Sequence, residues 1–388
     1  MSTKTYLGLR YPVAEVDVSY ALSEDQELIR NTARQFLEER IGLERVRELM
    51  MSDDGFDRGL WKEMADLGWP GLAISEEHGG AGLGPVEMSV LLEEMGRLVT
   101  PGPFFASAVL ATTAIQQAAD SDSQARLLTS LASGEIIATL AVFESPRGWR
   151  ILPTVTFAER SGKGWKLNGE KRAVLDGHLA DVLLVVADTR EGVGLFGVDV
   201  NATGVGIAHE STLDATRRQA TVTLDGVELE DTDRLDEGDT SAALRRTLLV
   251  ATAALAAEQV GGAQQCMEMA VDYAKTRYQF GRPIGSYQAI KHRCANMLME
   301  VEHAKSTAYH AARVTDEADE LEVAAPLAGS ICSEAYVWVA GENIQIHGGI
   351  GFTWEHDAHL YLKRAKASSL LLGSPRHQRD MMGQALGI

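Results

Sequence analysis

The stretch GWKLNGEKRAVLDGHLADVLLVVADTREGVGLFGVDV, Gly164 to Val200, decides the fold class. Its apolar residues recur with a period of two, in short β-branched runs separated by Gly, Asn or Asp. Asn168-Gly169 within it is a hairpin signal, because that turn favours residues tolerant of a positive φ. The pattern continues outward, into IIATLAVFE and TVTFAER on one side and QATVTLDGVEL on the other. Six or so closely spaced strands with no helices between them predict a middle β domain over residues 136–232, an antiparallel sheet or small barrel. No GxGxxG follows a strand, which argues against a Rossmann-type nucleotide site.

On both sides the period changes to that of a helix. Ser23 and Gln26 form a capping box ahead of ELIRNTARQFLEE, and DRGLWKEMADLG, PVEMSVLLEEMGRL and the stretch around Ile115 follow. These predict an N-terminal all-α domain over 20–135, interrupted by the glycine-rich loop Glu76–Gly84. After the acidic linker LEDTDRLDEGDTS come four helical segments, 241–276, 286–316, 320–346 and 357–384, which predict a C-terminal four-helix bundle over 240–386. Small residues crowd AALAAEQVGGA, which lets helices approach closely. The fold class expected is α+β, multi-domain. The first twenty residues receive no role.

With 36 Lys and Arg against 55 Asp and Glu, the formal charge of −19 argues against nucleic acid or an anionic membrane as partner. The longest nearly uncharged apolar run, Thr247–Ala257, is too short to span a bilayer, and the start MSTKTYLGLRYP has no secretory h-region. Cys266, Cys294 and Cys332 are scattered and read as reduced core residues of a cytoplasmic protein. No metal site is expected.

Two patterns in the bundle depart from generic helix. TRYQFGRPIGSYQAIKH (Thr276–His292) joins the first two helices, and QIHGGIGFTWEHDAHLYLKRAK (Gln345–Lys366) the last two. Each places Gly where backbone N–H groups approach a ligand, beside a cation or an amide, which suits a pyrophosphate. Tight helix–helix turns account for the same residues equally well. In order and spacing the two patterns resemble the C-terminal domain of the acyl-CoA dehydrogenase family. GWPGLAISEEHGGAGL resembles that family's N-terminal loop motif, and LNGEKRAVLDGHLADVLLVVA its middle-domain hairpin. The resemblance covers residues 20–384.

It implies a tetramer with FAD shared across subunit interfaces, an acyl-CoA substrate and an electron-transfer flavoprotein as acceptor. The family's R-x-x-F-G and Q-x-x-G-G residues, which reach a neighbour's flavin, correspond to Arg277, Phe280 and Gly281, and to Gln345, Ile346, His347, Gly348 and Gly349. Gln288 matches a glutamine beside the same flavin. The other half of the site departs from the family. Where members carry T-E-P-x-A-G-S-D, this chain reads Phe143-Glu144-Ser145-Pro146-Arg147-Gly148-Trp149. Where they carry W-I-T-N, it reads Ala173-Val174-Leu175-Asp176. Ring-edge donors and the aromatic wall are weakened.

The family's proton-abstracting Glu has two known positions. One lies 24 residues beyond Gly348 and is Leu372, followed by Gly373-Ser374 where the family has G-T. The other lies 26 residues before Arg277 and is Ala251. Glu258, two helical turns from Ala251 and roughly 10 Å away, is the remaining candidate base, or else a polar residue at a helix contact. Glu144 reads as a motif remnant or a strand-end residue. Lys363, Arg364, Lys366, Arg376 and Arg379 form a candidate phosphate-binding cluster, or ordinary cations near helix ends. Three readings follow: a subunit of a heteromeric dehydrogenase completing the FAD site of a paralogous partner; a self-sufficient homotetramer with an unconventional base; and a flavin-free scaffold or binding protein.

Overall fold

Ser23 opens the first long helix as its spacing to Gln26 requires. Its hydroxyl accepts the Gln26 N–H and its own N–H donates to the Gln26 side chain, closing the capping box. The computed structural model describes residues 2–6, 9–13, 22–144 and 155–388. Strands β1 (Ser2–Tyr6) and β2 (Leu9–Val13) pair antiparallel. The N-terminal helical domain then comprises α1 (Glu24–Arg40), α2 (Gly42–Met51), α3 (Arg58–Asp66), α4 (Pro85–Arg97), α5 (Thr112–Ala118) and α6 (Ser121–Ala132). A π-helical stretch, Phe105–Ala111, runs directly into α5.

The middle domain is a seven-stranded sheet of β3 (Ala138–Ala141), β4 (Phe157–Ser161), β5 (Gly164–Leu175), β6 (Val182–Thr189), β7 (Gly192–Asp199), β8 (Val205–Glu210) and β9 (Gln219–Leu229). The order is β3-β6-β4-β5-β9-β8, with β7 on β6. Its own core packs Trp165 edge-on against Phe196 among Leu183, Val185 and Val222. Two details differ from the sequence expectation. First, β3 and β4 pair with β6 in parallel, while the other pairings are antiparallel. The Asp181 carboxylate accepts the Ile137 N–H at 2.8 Å and the Asp181 N–H donates to the Ile137 carbonyl at 2.7 Å, which fixes the starts of β3 and β6 side by side. Second, Asn168-Gly169 is not a turn but a bulge inside β5, at a register shift against β9. Gly169 has φ 145°, and a Cβ there meets the Thr156 Cα at 2.5 Å. The turn into β5 falls earlier, between Ser161 and Gly164.

The C-terminal helices are α7 (Thr240–Thr276), α8 (Gln288–Arg313), α9 (Ala318–His347), α10 (Ala358–Leu371) and α11 (Pro375–Ala385). The expected fourth bundle helix is thus two helices. Gly373 at φ 119° breaks it, Ser374 caps the His377 N–H and Pro375 takes the first position of α11. The small residues of α7 do bring backbones together: a Cβ at Gly261 meets the Glu93 carbonyl oxygen at 1.8 Å, and one at Gly96 meets that of Glu258 at 2.0 Å. Helix α9 is apolar and long enough to cross a membrane, but 67% of its apolar window is buried, against α7, α8, α10 and α11. Cys266 and Cys332 are buried free thiols, and burial pushes the Cys332 thiol up to about 12.

Candidate functional site

The positions singled out by their departure from the family converge. Phe143 beyond β3, Ala173 and Leu175 at the end of β5, and Leu372 at the end of α10 line one cavity, with Leu110 and Leu248 closing it. Its volume is about 20 Å³, room for a single water. Backbone strain shapes this end of β5. Ala173 and Asp176 have φ of 52° and 47°, and the register against β9 shifts between Lys171 and Val174, which turns Leu175 inward to 3% exposure. The lining offers no charged donor, and a three-ring isoalloxazine does not fit in it. Ala251, the other position the resemblance assigns to a base, is fully buried. Ser145, Pro146, Arg147, Gly148 and Trp149 lie outside the described residues.

Glu144 is a clamp. Its carboxylate accepts the Val155 and Thr156 N–H groups at 2.9 and 2.8 Å and pairs at 3.0 Å with Lys171, which is fully buried. Burial drives the Lys171 ammonium down to about 8, against the pull of Glu144.

Glu258 is buried and spent on two arginines, Arg217 and, at 2.9 Å, Arg364. Burial alone raises its pKa; the two guanidinium groups outweigh burial and hold it below the ordinary value. Arg364, 2% exposed, also donates to Asp214 at 2.8 Å and to the Val99, Thr100 and Thr216 carbonyls at 3.1, 3.2 and 3.0 Å. Val99 adopts a φ of 44° to aim that carbonyl, a costly conformation for a β-branched residue. This network joins all three domains. A carboxylate so paired is a poor proton acceptor, so Glu258 has the character of a structural residue rather than a base. Asp176, buried near the same arginines, is pushed up to about 7 by burial. The cationic cluster also dissolves: Arg364 is interior, Arg379 pairs with Glu334 at 2.8 Å, and Lys363 lies 4.4 Å over the Trp354 ring. Sequence reading missed Lys171, Asp214 and Arg217, because no spacing along the chain joins them to their partners.

The residues of the two glycine patterns lie on an open edge. Arg277 caps the end of α7, is exposed, and has no ion pair among the described residues. After it, Tyr278–Gln279 pairs with Arg282–Pro283 in a two-residue ladder turned at Phe280 and Gly281, with φ of 53° and 80°. Gln288 is exposed at the start of α8. At the end of α9, Gln345 is exposed, Ile346 and His347 are buried, and Gly348 (φ 65°) and Gly349 present backbone outward. His347 donates from Nδ1 to the Asn343 carbonyl at 2.8 Å, and its ring stacks on Tyr273 at 4.3 Å. Burial lowers its pKa, so it is neutral near pH 7. The Tyr273–His347 stack brings the two glycine turns to one end of the bundle. That end exposes Tyr278, Phe280, Ile350, Phe352 and Trp354, with Phe280 at 92% and Phe352 at 83%. The exposed guanidinium and amide side chains there fit a diphosphate lying outside this chain.

Family models for the acyl-CoA dehydrogenase N-terminal and C-terminal domains match residues 23–135 and 241–387. The chain is 36% identical over 361 residues to acyl-CoA dehydrogenase IpdE2 of Mycobacterium tuberculosis, covering 91% of this chain and 94% of that protein. Its fold matches a chain of the ChsE4-ChsE5 complex from the same organism with a TM-score of 0.87 at 28% identity, covering 96% and 99% of the two chains. A chain of a variant of the Tcur3481-Tcur3483 steroid ACAD matches with a TM-score of 0.85 at 32% identity, covering 94% and 98%. The protein therefore belongs to the acyl-CoA dehydrogenase family of oxidoreductases.

Proposed function

We propose that this chain is the subunit of a heteromeric acyl-CoA dehydrogenase that completes the FAD site of a paralogous partner and has no catalytic base of its own. The observation that carries the reading is the asymmetry between its two half-sites. The cavity at Leu372 is filled by Phe143, Leu175 and their neighbours, while the edge around Arg277 and Gln345 is exposed and unpaired among the described residues. Random decay has no reason to spare one half. Exposed aromatics flanking that edge support a covering subunit.

In the complex, Arg277 orients the flavin diphosphate as a fork donor, and Gln345, Gln288 and the Gly348-Gly349 backbone hold its adenine side. FAD supplies the acceptor for the hydride that leaves the β carbon of an acyl-CoA thioester. The partner contributes the carboxylate that takes the α proton. The likeness to a complex, ChsE4-ChsE5, and to a steroid ACAD, Tcur3481-Tcur3483, supports a heterotetramer and a sterol-derived acyl group. Electrons pass to an electron-transfer flavoprotein in the cytoplasm. The self-sufficient alternative is disfavoured, because Glu258 is neutralised by two arginines.

Expression of the chain alone and beside a candidate paralogue tests this, with flavin absorbance and oligomer mass as readouts. Alone, it purifies with little or no flavin; together, the pair carries flavin and activity. A yellow, stoichiometric, active homotetramer from the chain alone overturns the proposal.

A further inference from the structure

A second cavity, of about 360 Å³, opens between the N-terminal helices and the bundle. It shares no lining residue with the closed centre at Leu372, and nothing in the proposed function uses it. Its size lies at the lower end of the ~300–1,000 Å³ range of small-molecule pockets. Met88 of α4, Val109 of the π-helical stretch and Val250 and Ala253 of α7 supply apolar walls.

Two hydroxyls in the lining break that pattern. Ser89 is 2% exposed and Thr113 8% exposed, and neither hydroxyl has a hydrogen-bond partner among the described residues. Neighbouring Thr112 shows the usual alternative, donating back to the Ser107 carbonyl at 2.9 Å. Neither oxygen is among the fully sealed side-chain atoms that lack a partner, so both are reached from the cavity, where a ligand oxygen can take the place of water. Charge in the lining does not select an ion, since it includes one residue of each sign, Arg246 and Asp316. The other lining side chains are neutral, and a charged ligand placed among them loses its hydration without a counterion.

We propose that this cavity binds a compact, uncharged, mostly apolar molecule bearing one hydroxyl or carbonyl oxygen, held at that oxygen by Ser89 and Thr113. The site is independent of flavin and of a partner subunit, so its test leaves the function proposed above untouched.

The test is equilibrium binding of 2-naphthol and of naphthalene to the full-length chain, followed by fluorescence. One 2-naphthol per chain is expected, bound at least tenfold more tightly than naphthalene. Ser89→Ala and Thr113→Val each weaken 2-naphthol about fivefold, the scale of one neutral hydrogen bond, and leave naphthalene within twofold. Neither variant lowers the Tm of the free protein, since each removes a hydroxyl that bonds to no other described protein group. Ala253→Leu fills the wall and abolishes binding of both probes. Equal affinity for the two probes, absence of saturable binding, or unchanged 2-naphthol affinity in both hydroxyl variants overturns the proposal.

Discussion

Glu258 separates a catalytic from a structural reading by one substitution. Glu258→Gln keeps the shape and removes the charge that balances Arg217 and Arg364. Breaking one side of a buried ion pair costs about 3–5 kcal/mol, so urea unfolding should show a loss of that order. The activity of the folded mixed complex should stay within about threefold, whereas loss of a general base costs about 10²–10⁴-fold. The carboxyl of Glu258 is held below its ordinary value, so its stabilisation is present above the unfolded pKa of 4.5 and lost as pH falls through the folded one. Asp176 has the opposite sign. Burial raises it from 3.8 to about 7, so the folded state binds the extra proton and stability declines as pH rises between those values. Asp176→Asn should remove that slope, and unfolding at pH 5 and pH 8 should show a larger gain at pH 8. Leu372 and Ala251 were assigned to the family's base positions by counting from the motifs that carry the resemblance. The Glu258 network was not legible in this way, because Arg364 lies 106 residues away along the chain and its partners come from three domains.

Among elements, the approach of α4 and α7 is the tightest constraint. Gly261→Ala places a Cβ 1.8 Å from the Glu93 carbonyl oxygen, a backbone atom that cannot swing aside. The helices must separate, opening voids around Glu258 one turn away, and a destabilisation of about 3 kcal/mol or more is expected by thermal or urea unfolding. AALAAEQVGGA made the close approach legible, since only small residues admit it. The break in the fourth bundle helix was missed, although Gly373 followed by Ser374-Pro375 is a stop and a start in three residues. Asn168-Gly169 misled because glycine serves a bulge as well as a turn, and only pairing with β9 decides which. The parallel placement of β3 on β6 depends on Asp181 reaching Ile137, a contact across 44 residues that no local period encodes.

For the whole molecule, an open edge and a closed centre lead, on the function proposed above, to the expectation that chemistry is measurable only in a complex. Arg277→Ala should lower flavin affinity of the mixed complex by about 1.5–3 kcal/mol, roughly 10–150-fold, read from flavin occupancy against added FAD. Because Arg277 is exposed and unpaired among the described residues, the Tm of the isolated chain should not change. An unchanged occupancy makes the turn merely structural. The 20 Å³ cavity also bears on how a base could be restored. Restoring a carboxylate by Leu372→Glu buries it among leucines and Phe143, where it stays protonated and destabilises the fold by about 3 kcal/mol, with no dehydrogenase activity from the chain alone. Making room for a ring first, by shrinking Phe143 or Leu175, leaves a void and costs comparably. Each step back is deleterious until the others are in place. If the proposed dependence on a partner holds, it works as a ratchet, since no single substitution among these leads back to a self-sufficient site.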